Sequence, residues 1–172
     1  MTMKSAYLTG HGGNEVVRVG ARAIVTSRHA GKLVQAQALG ADHTIDASRD
    51  DVAQAVLAAT GGRGVDVVFE NVGAAAWPAA MKSLVRGGRL VTCGATSGDQ
   101  PGADLRRLFI RQLRVIGSTL GNLSELHALL AFCQRHGLRP VIEQRFALDD
   151  VHAALDRLES GQQFGKIALT ID

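Results

Sequence analysis

The stretch Gly64 to Gly73, GVDVVFENVG, constrains this chain more than any other. Val65, Val67, Val68 and Phe69 form a nearly continuous apolar run with β-branched residues, the pattern of a strand buried on both faces of a parallel sheet. Its carboxyl end opens into Glu70, Asn71 and Gly73, a polar and small-residue turn of the kind that lines a ligand crevice at the strand ends of an open α/β sheet. Function is therefore expected at that end of the sheet.

The flanking sequence repeats the same alternation. Strands are predicted at Ala23 to Ser27, His43 to Asp46, Asp66 to Glu70, Arg89 to Cys93, Val115 to Ser118, Val141 to Phe146 and Lys166 to Ile171. Helices are predicted at Ala30 to Leu39, Asp50 to Thr60, Ala74 to Val85, Asp104 to Gln112, Ser124 to His136 and Asp149 to Glu159. Gly40, Gly61-Gly62 and Gly87-Gly88 stop the first three helices, Pro78 is tolerated in or near a first turn, and Ser124 is a candidate N-cap. A second small, polar turn, Gly94-Ala95-Thr96-Ser97-Gly98, follows the strand that ends at Cys93. The fold class is α/β: a doubly wound, mostly parallel Rossmann-type sheet with helices on both faces.

Composition narrows the function classes. A chain of 172 residues supports one α/β domain and is short for a two-domain dehydrogenase. Its net charge of +3 is scattered among 16 acids with no aromatic interleaving, which argues against nucleic acid. Cys93 and Cys133 lie in no metal-ligand spacing, so reduced thiols and a cytoplasmic setting are expected, and no apolar run is long enough to span a membrane. His11 stands in a glycine turn within reach of a phosphate, whereas His29, His43, His127, His136 and His152 are dispersed and read as surface or helix-end residues, and Arg106, Arg107, Arg111 and Arg114 read as a solvated basic helix face.

The succession ARAIVTSR, KLVQAQALGADHTIDA, GGRGVDVVFENVG, LVRGGRLVTCGATSG, RVIGST and FGKIALTI resembles the nucleotide-binding half of the medium-chain dehydrogenase/reductase family, in its quinone-oxidoreductase-like and zinc-type alcohol dehydrogenase branch. The likeness covers about residues 20–172, while Met3 to Val19 is similar to the very start of such enzymes. The resemblance thus implies two segments: 1–19, a remnant of a substrate domain, and 20–172, a dinucleotide-binding domain with a C-terminal return strand. Between Val19 and Ala21 most of the substrate domain and the first strand and glycine turn of the nucleotide domain are missing, together with any zinc ligands of that region. No zinc is expected in this chain, and no catalytic residue is assigned.

In a sheet of order 3-2-1-4-5-6 the missing strand is central, between Ala23 to Ser27 and Asp66 to Glu70. Leaving the two facing edges unpaired would cost about 1 to 3 kcal/mol per buried backbone group, against a domain stability of about 5 to 15 kcal/mol. Ser5 to Thr9 is the candidate for the slot, with Gly10-His11-Gly12-Gly13 as a substitute turn and Asn14 to Gly20 as an abbreviated crossover.

The resemblance also places the cofactor. At the strand end Thr26-Ser27-Arg28 no acid is available for ribose hydroxyls, whereas Arg28 and Lys32 can meet a 2′-phosphate, so NADP(H) is preferred over NAD(H). Asn71, Val72 and Gly73 are expected at the nicotinamide ribose, and Cys93, Gly94, Ala95 and Thr96 at the nicotinamide ring. Competing readings make Arg28 a solvated residue, Asn71 a turn residue bonding its own backbone and Cys93 a small buried hydrophobe. Lys166 is expected to be exposed.

The implied function is an NADP(H)-dependent oxidoreductase acting on a quinone, enone or alcohol, reduced to nucleotide binding where the substrate domain is absent. The alternative is an inactive dimerising remnant without nucleotide. Partners are a nicotinamide nucleotide and a second copy paired through the edge strand Val115 to Ser118; the terminal strand, its partner lost, is a further candidate for pairing between chains.

Overall fold

Every predicted strand and helix between Ala23 and Ile171 has a counterpart in the structure, a computed structural model that describes residues 22–171. The strands are β1 (Ile24–Ser27), β2 (His43–Asp46), β3 (Val65–Glu70), β4 (Leu84–Thr92), β5 (Arg114–Gly117), β6 (Ile142–Ala147) and β7 (Lys166–Thr170). The helices are α1 (Ala30–Ala38), α2 (Val52–Ala59), α3 (Trp77–Ser83), α4 (Leu105–Ile110), α5 (Leu123–His136) and α6 (Val151–Glu159). The described residues fall into two compact units, 22–122 and 123–171.

In the first unit β1 pairs with β2, and β3, β4 and β5 form a three-stranded ladder in that order, all parallel. Both ladders contribute to one core: Ile24 and Ile45 meet Val56 of α2, Val65 and Val68 of β3, Ala80 and Met81 of α3, and the fully buried Leu84 and Leu90 of β4. Among the described strands none pairs with β1 on the side away from β2, nor with β3 on the side away from β4. These ladders match the two flanks of the expected order. The candidate central strand Ser5 to Thr9, the turn Gly10 to Gly13, the crossover and the junction at 19–21 lie outside the described residues.

Local chemistry accounts for the helix ends. The Asp51 carboxylate caps α2 by accepting from the Gln54 amide at 3.0 Å, and the Asp104 carboxylate caps α4 by accepting from the Arg107 amide at 2.9 Å. Asp42 accepts from the Ala23 amide at 2.7 Å, tying the segment after α1 to the entrance of β1.

Several details differ from expectation. The third helix ends at Ser83, not Val85, because Leu84 is already extended and pairs with Val65; Gly87-Gly88 sit inside β4 at a register shift rather than after a helix. Ser124 lies within the first turn of α5 and is not its cap. Phe69 is 38% exposed, so β3 is enclosed on both faces only along Val65 to Val68.

In the second unit β6 and β7 pair in parallel, with Arg145 opposite Ala168 and Ala147 opposite Thr170. The terminal strand has therefore not lost its partner: β6 supplies one. A 3-10 turn, Leu148–Asp150, leads into α6, whose Arg157 grips Glu143 of β6 with two hydrogen bonds of 2.7 and 3.2 Å.

Candidate functional site

The carboxyl ends of β3 and β4 carry two loops, 71–76 and 93–98, that are fastened to each other. Glu70, the last residue of β3, is only 4% exposed. Burying a carboxylate is costly unless its oxygens are hydrogen-bonded, and here the turn itself supplies the donors. Glu70 Oε1 accepts from the Val72 amide at 2.6 Å, and the Gly73 amide lies 2.9 and 3.0 Å from the two carboxylate oxygens. The Glu70 carbonyl accepts from the Cys93 amide at 3.1 Å, carrying the parallel ladder to its last rung.

Beyond that rung, irregular backbone bonds and the Ser97 side chain take over from the ladder. The Val72 carbonyl accepts from the Ser97 amide at 2.7 Å and the Ser97 hydroxyl at 2.6 Å, while the Ser97 hydroxyl accepts from the Ala75 amide at 3.0 Å. The Gly98 carbonyl accepts from the Ala74 amide at 2.9 Å. Gly73 has a φ of +90°, and a Cβ there would lie 2.3 Å from the Gly98 carbonyl oxygen and 2.9 Å from Ala95 Cα. The two loops touch backbone to backbone, which only glycine permits in that conformation.

The predicted residues fall into this frame as follows. Asn71 is half-buried, Val72 is exposed and Gly73 is buried. The turn's amides go to Glu70, so it is Glu70 and not Asn71 that closes it. Cys93 is exposed, which excludes the buried-hydrophobe reading. Gly94 approaches Asn71, with space for a Cβ only 2.9 Å from the Asn71 carbonyl oxygen, and Ala95 and Thr96 are exposed beside it. The structure thus brings Asn71, Val72, Gly94, Ala95 and Thr96 together at the surface of the two loops, with Gly73 buried between them. Glu70 and Ser97 are the members that sequence reasoning did not assign; an acid at a strand end three residues before a glycine was the available signal.

Ser27, Arg28 and Lys32 gather at the carboxyl end of β1. The Ser27 hydroxyl accepts from the His29 amide at 3.1 Å, Arg28 is exposed in the turn, and Lys32 is half-buried in the first turn of α1. One acid stands nearby that the local sequence did not reveal. Asp46 ends β2 in register with Ser27, and its carboxylate accepts from the Ser48 hydroxyl at 2.5 Å and the Ser48 amide at 2.9 Å, with Arg49 at 3.7 Å. The Ser48 hydroxyl first, then its amide, hold the Asp46 carboxyl below the usual carboxylate range.

Elsewhere the basic helix face proves less solvated than expected. Arg111 donates to the Leu84 carbonyl at 3.2 Å and Arg107 lies 3.6 Å from Asp104, whereas Arg106 and Arg114 are exposed. Lys166 is exposed at the start of β7. Among the described residues no three His, Cys, Asp or Glu side chains converge on a point that could hold a metal ion. No described helix is long and apolar enough to cross a membrane.

Two parallel ladders, one of them carrying a joined loop pair at the carboxyl ends of its strands, match the arrangement of dinucleotide-binding folds, and comparison with known proteins agrees. A family model described as zinc-binding dehydrogenase matches residues 16–135. This chain belongs to that family, one of the medium-chain dehydrogenases/reductases. An alcohol dehydrogenase of Geobacillus stearothermophilus is 30% identical over 141 residues, which are 82% of this chain and 41% of that enzyme. A quinone oxidoreductase of Pseudomonas aeruginosa is 33% identical over 139 residues, 76% of this chain and 43% of the relative. A solved structure described as an NAD-dependent alcohol dehydrogenase superposes with a TM-score of 0.85 at 32% identity, over 98% of this chain and 51% of that one. The chain thus spans about half the length of the relatives it matches.

Proposed function

We propose that the chain is the nucleotide-holding part of an oxidoreductase and binds a nicotinamide nucleotide along the carboxyl ends of β1, β3 and β4. The observation that carries this reading is the clamped loop pair: Glu70, Ser97 and the backbone contact at Gly73 hold Asn71–Gly73 and Gly94–Thr96 as one prebuilt surface. Preorganised small residues let the backbone approach a planar ligand and cost no ordering on binding. At the other end, Ser27, Arg28 and Lys32 meet the adenosine ribose.

Arg28 and Lys32 favour NADP(H) over NAD(H), because a guanidinium and an ammonium at that position match a 2′-phosphate. Two observations set the opposing case: the 32%-identical structure is described as NAD-dependent, and Asp46 stands level with Ser27. The Asp46 carboxylate is turned to Ser48 and Arg49, which supports the phosphate reading.

When bound, the nucleotide supplies the hydride. The chain's own residues orient it and shield one side, and the reaction with a quinone, enone or alcohol depends on that orientation. None of the residues described above is assigned a proton-transfer role. Titration with NADPH and NADH, followed by nucleotide fluorescence, tests the proposal: NADPH binds more tightly, and R28A reduces that preference about tenfold, the loss of one charge-assisted contact. Absence of binding by either nucleotide overturns it.

A second reading, a dimerising chain without nucleotide, draws on β5. All four of its residues are exposed, it pairs only with β4 among the described strands, and Val115 and Ile116 are 44% and 42% exposed. An open apolar edge of this kind supports pairing with a second copy across a two-fold axis. Dimerisation through residues 115–118 is compatible with nucleotide binding and is proposed alongside it.

A further inference from the structure

Glu70 is the one buried acid or base among the described residues, and its carboxylate is held by the backbone amides of Val72 and Gly73. That use of a carboxylate has a consequence for the surface. The amides of Val72 and Gly73 are drawn inward to Glu70, the Val72 carbonyl is taken by Ser97, and the Gly73 carbonyl accepts from the Ala76 and Trp77 amides at 3.0 Å each. The amides and carbonyls of Val72 and Gly73 are thereby all engaged. Asn71, set between Glu70 and the amide that Glu70 holds, offers its side-chain amide to the surface.

We infer that Glu70 is a positioning residue: its side chain shapes the Asn71–Gly73 turn so that Asn71 contacts the ribose on the nicotinamide side of the ligand. This rests on the nucleotide reading above and deepens it. Oε1 accepts from both amides and Oε2 from Gly73 as well, 3.0 Å away, whereas a Gln side chain that keeps Oε1 sets an N–H₂ against the Gly73 N–H at the second position. Exchange of that contact for two opposed donors corresponds to about a tenfold loss of affinity where the turn meets the ligand.

The experiment compares two probes on wild type, E70Q and E70D. NADPH spans the whole site, while 2′,5′-ADP carries only the adenosine half, which meets β1 and not the loop after β3. Expected is that E70Q weakens NADPH about tenfold and leaves 2′,5′-ADP unchanged. E70D keeps the charge on a shorter stem and shows the same selective loss, smaller in size. Equal weakening of both probes, or of neither, overturns the inference, as does failure of both variants to fold, since Glu70 would then serve the fold alone. If wild type binds neither probe, the nucleotide reading itself falls and takes this inference with it.

Discussion

Substitution of Gly73 by alanine tests the loop clamp most directly. Gly73 sits at φ +90°, where an L residue is strained by about 1 to 2 kcal/mol. A new Cβ would also stand 2.3 Å from the Gly98 carbonyl oxygen, and that neighbour is backbone, which cannot swing aside as a side chain can. The loops must part, and the bonds at risk are Ala74 to Gly98 at 2.9 Å and Ser97 to Val72 at 2.7 Å. At about 0.5 to 1.5 kcal/mol for each of two bonds, the combined cost is about 2 to 5 kcal/mol. The control is Gly87→Ala: Gly87 has a φ of +74° but nothing within 4 Å of its added Cβ. It carries the strain without the collision, about 1 to 2 kcal/mol. Urea denaturation of both variants, with m-values compared to the parent, separates the two contributions. G73A should exceed G87A by more than about 1 kcal/mol. Equal midpoints would refute the backbone-to-backbone contact between the loops.

Three further outcomes are expected. Asp46 has its carboxyl held below the ordinary 3.8, so the unfolded chain takes up that proton more readily than the folded one; the stability it contributes is present above pH 3.8 and fades as pH falls through the lower folded value. The gap in urea midpoint between wild type and D46N should therefore shrink between pH 5 and pH 2, and a gap that is constant with pH would count against the Ser48 contacts. Leu90 is 0% exposed at the centre of the first unit, so L90A should cost about 2 to 5 kcal/mol by chemical denaturation, and a cost below about 1 kcal/mol would mean that the two ladders do not share one core. I116K places a charge on the exposed edge of β5 and should leave a monomer by light scattering where the parent is a dimer, with the NADPH titration unchanged; a variant that stays dimeric rejects the edge as the interface.

Local patterns made most of the elements legible. Apolar runs and their glycine or acid punctuation act over a few residues, so β1, β2, β3 and α1 fall within about two residues of their predicted ends. The same locality explains the errors. Whether Leu84 ends a helix or starts a strand depends on Val65, nineteen positions earlier in the chain, because pairing to β3 satisfies its backbone. The partner of the terminal strand depends on where β6 lies, and the setting of Arg111 depends on the Leu84 carbonyl.

By itself, the amino-acid order determined that this is a parallel α/β chain whose strands β1, β3 and β4 end at or beside Ser27, Glu70 and Cys93, and it carried enough matched motifs to place the family. What only the tertiary structure decided is how that edge is built. A carboxylate bonding amides two and three residues ahead, a serine bridging two loops, and an acid drawn level with Ser27 from another strand are all matters of register and turn conformation. Those are set by contacts between distant residues, which hydrophobic periodicity does not encode.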